Sequence, residues 1–167
     1  MTPRSQGLDI VLKEHPFFQE LKDEHLKLLE GCGKNERFQP DQFLFREGED
    51  ADRFYVIREG KIRIELHSTR RGPIMLETIG PADVLGWSWL VPPYQWRFDA
   101  RALELTRVIT MDGACLRGKC QEDPVLGYEL LRRFTLVLAD RLEATRLQLL
   151  DMYRSPAENN EKRSGQK

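Results

Sequence analysis

No apolar run in this chain of 167 residues approaches the ~20 that a membrane-spanning helix needs. The opening Met1-Thr2-Pro3-Arg4-Ser5-Gln6-Gly7 leads into no signal-type apolar block, so a cytoplasmic protein is expected. Cysteine is scarce: Cys32, Cys115 and Cys120 are odd in number and follow no regular spacing. That pattern predicts reduced thiols, buried or half-buried, rather than a disulfide framework. Charge of one sign is also missing. Lys and Arg number 26 against 27 Asp and Glu, a formal net charge of −1, which offers no global attraction to nucleic acid. Histidine is thin as well, and His15, His25 and His67 are too scattered to supply the imidazole cluster of a metal-dependent barrel enzyme; they are expected on the surface or in helix packing. Ser88 stands between Trp87 and Trp89 rather than in a Gly-x-Ser-x-Gly turn, which argues against a nucleophilic hydrolase. No enzyme, resident metal, membrane or nucleic-acid partner is expected.

What is present is an ordinary globular balance, 40% hydrophobic and 32% charged, long enough to bury roughly 70% of its unfolded surface. Between Leu8 and Gly33 the apolar residues Leu12, Phe17, Phe18, Leu21, Leu26, Leu28 and Leu29 predict two short helices, interrupted near His15-Pro16 and ending at Gly31. Short β-rich runs follow at Glu36–Phe38, Phe43–Phe45, Phe54–Arg58, Lys61–His67, Ile74–Ile79, Ala100–Leu105 and Arg107–Met111, with Pro, Gly and Asp turns between them. The Glu59-Gly60 step separates two of these runs, and glycine there supplies the positive φ of a tight hairpin. Asp112 can cap a short helix to about Lys119; Asp123-Pro124 opens another, with Asp as cap and Pro in the first turn.

The stretch from Phe45 to Leu66 joins a strand, a Glu47-Gly48 turn, the acidic loop Glu49-Asp50-Ala51-Asp52, the strand Phe54-Tyr55-Val56-Ile57, Gly60 and then Ile62-Arg63-Ile64. It resembles the cyclic nucleotide-binding domain of catabolite activator proteins, protein kinase A regulatory subunits and gated channels, the CRP/FNR superfamily. The fold this implies is mainly β with flanking helices: a double-stranded β-helix, or jelly-roll-like β-roll, over residues 34–111, with N-terminal helices and a long C-terminal helix over 124–153. The domain then covers 8–153, and 154–167 is expected as a disordered tail.

All three tryptophans lie between Gly86 and Ala102, where the family carries its phosphate-binding cassette. In that cassette a Gly-Glu-Leu/Ile-Ala/Gly run opens a short helix whose amides hold the cyclic phosphate, the Glu holds the ribose and a later Arg neutralises the phosphate. Helix N-terminal amides and the guanidinium fork are suited to an anion. Gly86 matches the opening glycine, so the amides of Trp87, Ser88 and Trp89 become candidates. Trp87 replaces the ribose glutamate with a group that only donates, and Trp89 puts bulk where the family has a small residue, tending to fill the pocket. Arg97 is the nearest phosphate arginine, one place beyond the expected position; its alternative is a solvated surface arginine. The cluster Trp87, Trp89, Tyr94, Trp96 and Phe98 could stack a planar ligand, plug the pocket as core, or form a partner surface. Arg141-Leu142-Glu143-Ala144-Thr145 resembles the Arg-Leu-x-x-Thr segment whose threonine meets adenine in catabolite activators; the Arg141 carbonyl is the other available partner for Thr145.

Leu131, Phe134, Leu138, Leu142, Thr145, Leu149 and Met152 recur every three or four residues along the last helix. This stripe fits either a parallel homodimer seam through Leu131, Leu138, Leu142 and Leu149 or a cover for the chain's own barrel. The resulting expectation is a stand-alone regulatory or sensor domain that binds a small anionic or nucleotide-like ligand, a cyclic nucleotide among the possibilities, and dimerises through its last helix. The alternatives are a DNA-binding transcription regulator of the same family and a ligand-free dimerisation scaffold. The first of these needs a helix-turn-helix module of roughly 60–80 residues, where fourteen residues follow Tyr153.

Overall fold

The hairpin at Gly60 sets the architecture. Gly60 has φ +93°, and a Cβ there would lie 2.7 Å from both the Leu105 carbonyl oxygen and Thr106 Cα; no other residue fits. A computed structural model describes residues 7–154. It begins with α1 (Leu8–Glu14), a 3-10 turn at Pro16–Phe18 and α2 (Asp23–Glu30). Strands β1 (Gly33–Phe38), β2 (Phe43–Phe45), β3 (Arg53–Glu59), β4 (Ile62–Ser68), β5 (Gly72–Ile79), β6 (Val84–Leu85), β7 (Asp99–Ala102) and β8 (Thr106–Asp112) follow. They form two antiparallel sheets in the orders β1-β8-β3-β6 and β2-β7-β4-β5, the β-roll expected from the sequence. Next come α3 (Gly113–Glu122) and α4 (Pro124–Tyr153). Packing divides the chain into two units, Met1–Glu129 and Leu130–Lys167, so α4 begins in the first and continues in the second. The tail expected beyond Arg154 lies outside the described residues.

Strand β3 shows why the first unit holds together. Phe54, Tyr55, Val56 and Ile57 are all buried, because successive side chains point to opposite faces and both faces are covered. Tyr55 and Ile57 enter the roll, where they join Phe45, Ile62, Ile64, Leu85, Ala100, Ala102 and Val108. Burial pushes the Tyr55 phenol well above its ordinary pKa, and the neutral hydroxyl donates to the Leu44 carbonyl at 3.2 Å. Phe54 points the other way, 6.2 Å centroid to centroid from Phe17 of the 3-10 turn. His15 fixes that turn: its Nδ1 accepts from the Phe17 amide at 3.2 Å, and burial lowers its pKa, favouring the neutral ring this bond requires.

The helix caps follow local chemistry. Asp112 accepts from the Cys115 amide at 2.7 Å. Asp123 accepts from the amides of Val125 and Leu126 through Oδ1, and its Oδ2 lies 3.1 Å from His25 Nε2. The Leu126 amide, with help from His25, holds the Asp123 carboxyl below its ordinary pKa.

The thiols depart from expectation. Cys32 and Cys115 form a disulfide across 83 positions, and only Cys120 is free. An odd count excludes complete pairing but not a single pair. The reason this pair meets is register: β1 and β8 pair Gly33 with Met111, which sets Cys32 opposite Asp112, and the first turn of α3 that Asp112 caps brings Cys115 back to it, with Cα atoms 5.7 Å apart. Closing so long a loop removes denatured-state entropy, about 4.5 kcal/mol on the chain-entropy relation. It also withdraws the cysteine-based argument for a reducing compartment. Among the described residues no helix is long and apolar enough to cross a membrane.

Because Gly60 combines positive φ with contact against Leu105 and Thr106, Gly60→Val is expected to destabilise the roll by roughly 3 kcal/mol. The exposed strand substitution His67→Val is expected to change little. Thermal unfolding followed by circular dichroism compares them; equal midpoints for Gly60→Val and the parent would remove this account of the turn.

Candidate functional site

The candidate site starts where β6 ends. Gly86 turns the chain at φ +97°, Trp87 precedes a three-residue 3-10 turn, Ser88–Leu90, and the chain returns through Val91–Gln95 to Trp96 and β7. The need for glycine at 86 is steric as well as conformational. A Cβ there would meet Trp96 Cη2 at 2.7 Å and Cζ3 at 2.8 Å. Trp96, 3% exposed, belongs to the roll's interior core and lies flat on Phe45, 3.7 Å between centroids and 8° between planes. The ring therefore occupies the interior against the Gly86 backbone, which the family resemblance gives to the phosphate.

Main-chain bonds lock this arrangement to the acidic turn. Gly48 N donates to Trp96 O at 2.8 Å, Trp96 N to Glu49 O at 2.9 Å and Ala51 N to Tyr94 O at 2.7 Å. Buried Asp99 accepts from the Glu47 amide at 2.7 Å and pairs with Arg46 at 3.3 Å. Gly48 has φ +86°, which lets the turn fold back onto the returning segment.

The sequence-selected residues are distributed differently from one another. Gly86 and Ser88 are buried at the turn, and Ser88 Oγ has no hydrogen-bond partner. Trp87 is half-buried, and Arg97, exposed, holds its guanidinium carbon 6.0 Å from the Trp87 ring centroid. Trp89 is fully buried but stacks on Phe54 at 5.5 Å and 18°, the β3 side chain that faces away from the roll interior. The filling expected of Trp89 is thus supplied by Trp96. Thr145, in the second unit, donates to the Arg141 carbonyl at 2.8 Å, so its proton is used within the helix.

An alternation in the sequence carries the signal for Trp96. Trp96, Phe98, Ala100 and Ala102 alternate with Arg97, Asp99 and Arg101, a period of two that sends the apolar set inward and Arg97 outward. Two further contacts were not visible in sequence. Arg117 of α3 donates to the Trp89 carbonyl at 2.8 Å and lies over the Tyr94 ring at 5.2 Å, tying α3 to the tryptophan segment. On the second sheet, buried Glu65 pairs with Arg101 at 3.3 Å.

A cyclic phosphate placed on the Gly86 turn would meet the Trp96 ring, so the residues fit that ligand only with Trp96 displaced. Ser88 Oγ, buried at the turn without a hydrogen-bond partner, is compatible with an incoming acceptor or donor.

Comparison with known proteins agrees with the fold. A CRP-like cAMP-activated global transcriptional regulator of Mycobacterium tuberculosis is 29% identical over 150 residues, which are 87% of this chain and 63% of the relative. The chain thus spans less than two thirds of that relative's length. The crystal structure of a cyclic nucleotide-binding protein from Geobacter metallireducens is 27% identical, with a TM-score of 0.73, covering 80% of this chain and 97% of its own. The catabolite activator protein of Thermus thermophilus, 20% identical with a TM-score of 0.65 over 82% of this chain and 62% of its own, shares the fold. The family model described as "Cyclic nucleotide-binding domain" matches residues 35–123, more than half of the chain, and the chain belongs to that family.

Proposed function

We propose that this chain is a regulatory or sensor module of the cyclic nucleotide-binding family, a binding domain rather than a catalyst, whose ligand enters only by displacing Trp96. The observation that carries the reading is the Trp96 ring packed between Gly86 and Phe45. The chemistry around it favours a small anionic or planar molecule: an anion for the Trp87, Ser88 and Trp89 amides, a flat group for the face of Phe45. Arg97 would reach such a ligand only by leaving Trp87. With the ribose carboxylate replaced by Trp87, a cyclic nucleotide loses a charge-assisted hydrogen bond of ~1.5–3 kcal/mol, roughly ten- to hundredfold in affinity. Displacing Trp96 adds to that loss.

Calorimetry with cyclic AMP and cyclic GMP is expected to show weak or absent binding by the parent, and at least tenfold tighter binding by Trp96→Ala. Submicromolar binding by the parent would show that the ring is no barrier and would overturn the reading.

The module is proposed to assemble as a parallel homodimer through α4. Leu131, Leu138, Leu142 and Leu149 are exposed along this helix, between 36% and 57%, spaced as an apolar seam. Leu142→Glu would bury an unpaired charge there, at a cost of roughly 3–5 kcal/mol. Sedimentation should show the parent dimeric at micromolar concentration and the variant monomeric; a monomeric parent ends the seam hypothesis. The mycobacterial relative's description favours a second reading, transcription regulation through DNA. A low-salt gel shift with genomic fragments distinguishes it, since saturable, sequence-selective retardation by this chain would replace the sensor-only role.

A further inference from the structure

The Cys32–Cys115 disulfide does not lie sealed in the core. It forms part of the wall of a cavity of about 510 Å³ whose lining also includes Lys34, Arg53, Thr110 and Asp112. Cys32 is buried, whereas Cys115 is half-buried, so Cys115 is the more exposed partner on the cavity wall. The cavity's charges are unequally committed. Arg53 is held by Asp52 through two hydrogen bonds, at 2.6 and 2.9 Å; Asp112 caps the Cys115 amide; Thr110 donates to Glu36 at 2.6 Å. Exposed Lys34 forms no ion pair among the described residues, and its ammonium is open to a carboxylate.

The helix behind the disulfide has few other holds. Only Gly113 and Leu116 of α3 are buried, and the helix contains both Gly113 and Gly118, residues that weaken helices. Besides the disulfide, Lys119 Nζ donates to Leu28 O at 2.7 Å, Asp112 N to Cys32 O at 2.9 Å and Gly113 N to Asp52 O at 2.7 Å, and Asp123 at the end of the helix lies 3.1 Å from His25 Nε2 of α2. On its other side, Arg117 grips the Trp89 carbonyl. A segment with so little buried apolar surface belongs to the low end of local stability, and the cross-link is its one covalent anchor.

We propose that Cys32–Cys115 is a thiol-exchange site for small thiols bearing carboxylates, bound through Lys34 in the adjoining cavity, and that its redox state sets how firmly α3 holds the tryptophan segment. The exchange balances with the thiol as reductant. A thiolate attacks Sγ of Cys115, a new S–S bond forms, the Cys32–Cys115 bond breaks, and the electron pair leaves on Cys32, which takes a proton from water. A second thiolate attacks the small molecule's sulfur in the mixed disulfide, releasing Cys115 as thiolate and the small molecule as its own disulfide. Two electrons pass from two thiols to the protein.

The test uses the full chain, oxidised, in native buffer with millimolar glutathione. Thiol titration should rise from one to three, with a transient species in mass spectrometry carrying one glutathione on Cys115. Hydrogen exchange across Gly113–Glu122 should accelerate at least tenfold, and tryptophan emission should change, since Trp87, Trp89 and Trp96 all lie in the segment that Arg117 reaches. Lys34→Glu should slow exchange with glutathione by roughly three- to tenfold and exchange with 2-mercaptoethanol, whose thiolate carries no carboxylate, by clearly less. The Cys32→Ser, Cys115→Ser pair should reproduce the reduced protein's exchange and emission and be indifferent to thiols; if that pair does not fold, reduction of the parent alone decides. The proposal is overturned if glutathione reduces the bond only after denaturant is added, if reduction leaves α3 exchange unchanged, or if Lys34→Glu slows both thiols equally.

Discussion

The stack of Trp96 on Phe45, pressed against the bare backbone of Gly86, is the contact from which the rest of the candidate site follows. With a ring in that place, position 86 admits no side chain. The returning segment must also run close enough to the acidic turn for Gly48, Glu49 and Ala51 to bond its main chain. Once Trp96 points inward, pleating turns Arg97, Asp99 and Arg101 outward. Asp99 is then available to the Glu47 amide and Arg46, which closes the turn over the ring. One apolar packing decision thus fixes the backbone path, the direction of the arginines and the burial of a carboxylate.

A second constraint is the double-sided burial of β3. Its inner face makes the roll core and its outer face receives Phe17 and Trp89. Trp89 therefore belongs to the layer between the sheet and the N-terminal helices, although it is only three residues from Gly86. The carbonyl of the same residue is the acceptor for Arg117. This residue connects the packing on the back of the sheet with α3, and α3 connects to α2 and β1 through Cys115 and Lys119.

Features governed by neighbours in sequence were legible before the structure was known. The Gly60 hairpin, the Asp112 and Asp123 caps and the run of α4 from Pro124 all depend on a few adjacent residues, and their signals are correspondingly sharp. Features governed by register were not. Strand β6 is two residues long and exists because Val84 and Leu85 pair with Val56 and Tyr55; no two-residue periodicity can announce it. The disulfide depends on the β1–β8 ladder in the same way. The site lies between these cases. Family spacing directs attention to Trp89 and Arg97, while the alternation from Trp96 to Ala102 identifies the inward ring and places Arg97 on the outer face.

The buried ring also sets the terms for any ligand. A tryptophan side chain buries about 150–250 Å², which at about 25 cal/mol per Å² amounts to roughly 4–6 kcal/mol of hydrophobic stabilisation. If the ring moves fully into water, the binding-competent state is populated about 10³- to 10⁴-fold less than the closed one, and apparent affinity falls by the same factor. A small anion gripped only by the Gly86 turn offers too few contacts to offset this. On the proposed reading, a planar group that takes over the face of Phe45 would rebury part of the exposed surface as the ring leaves, so the stack would discriminate in favour of flat ligands. Selectivity on that reading would come from the cost of opening the site, with the resident indole defining the shape that an incoming molecule must reproduce.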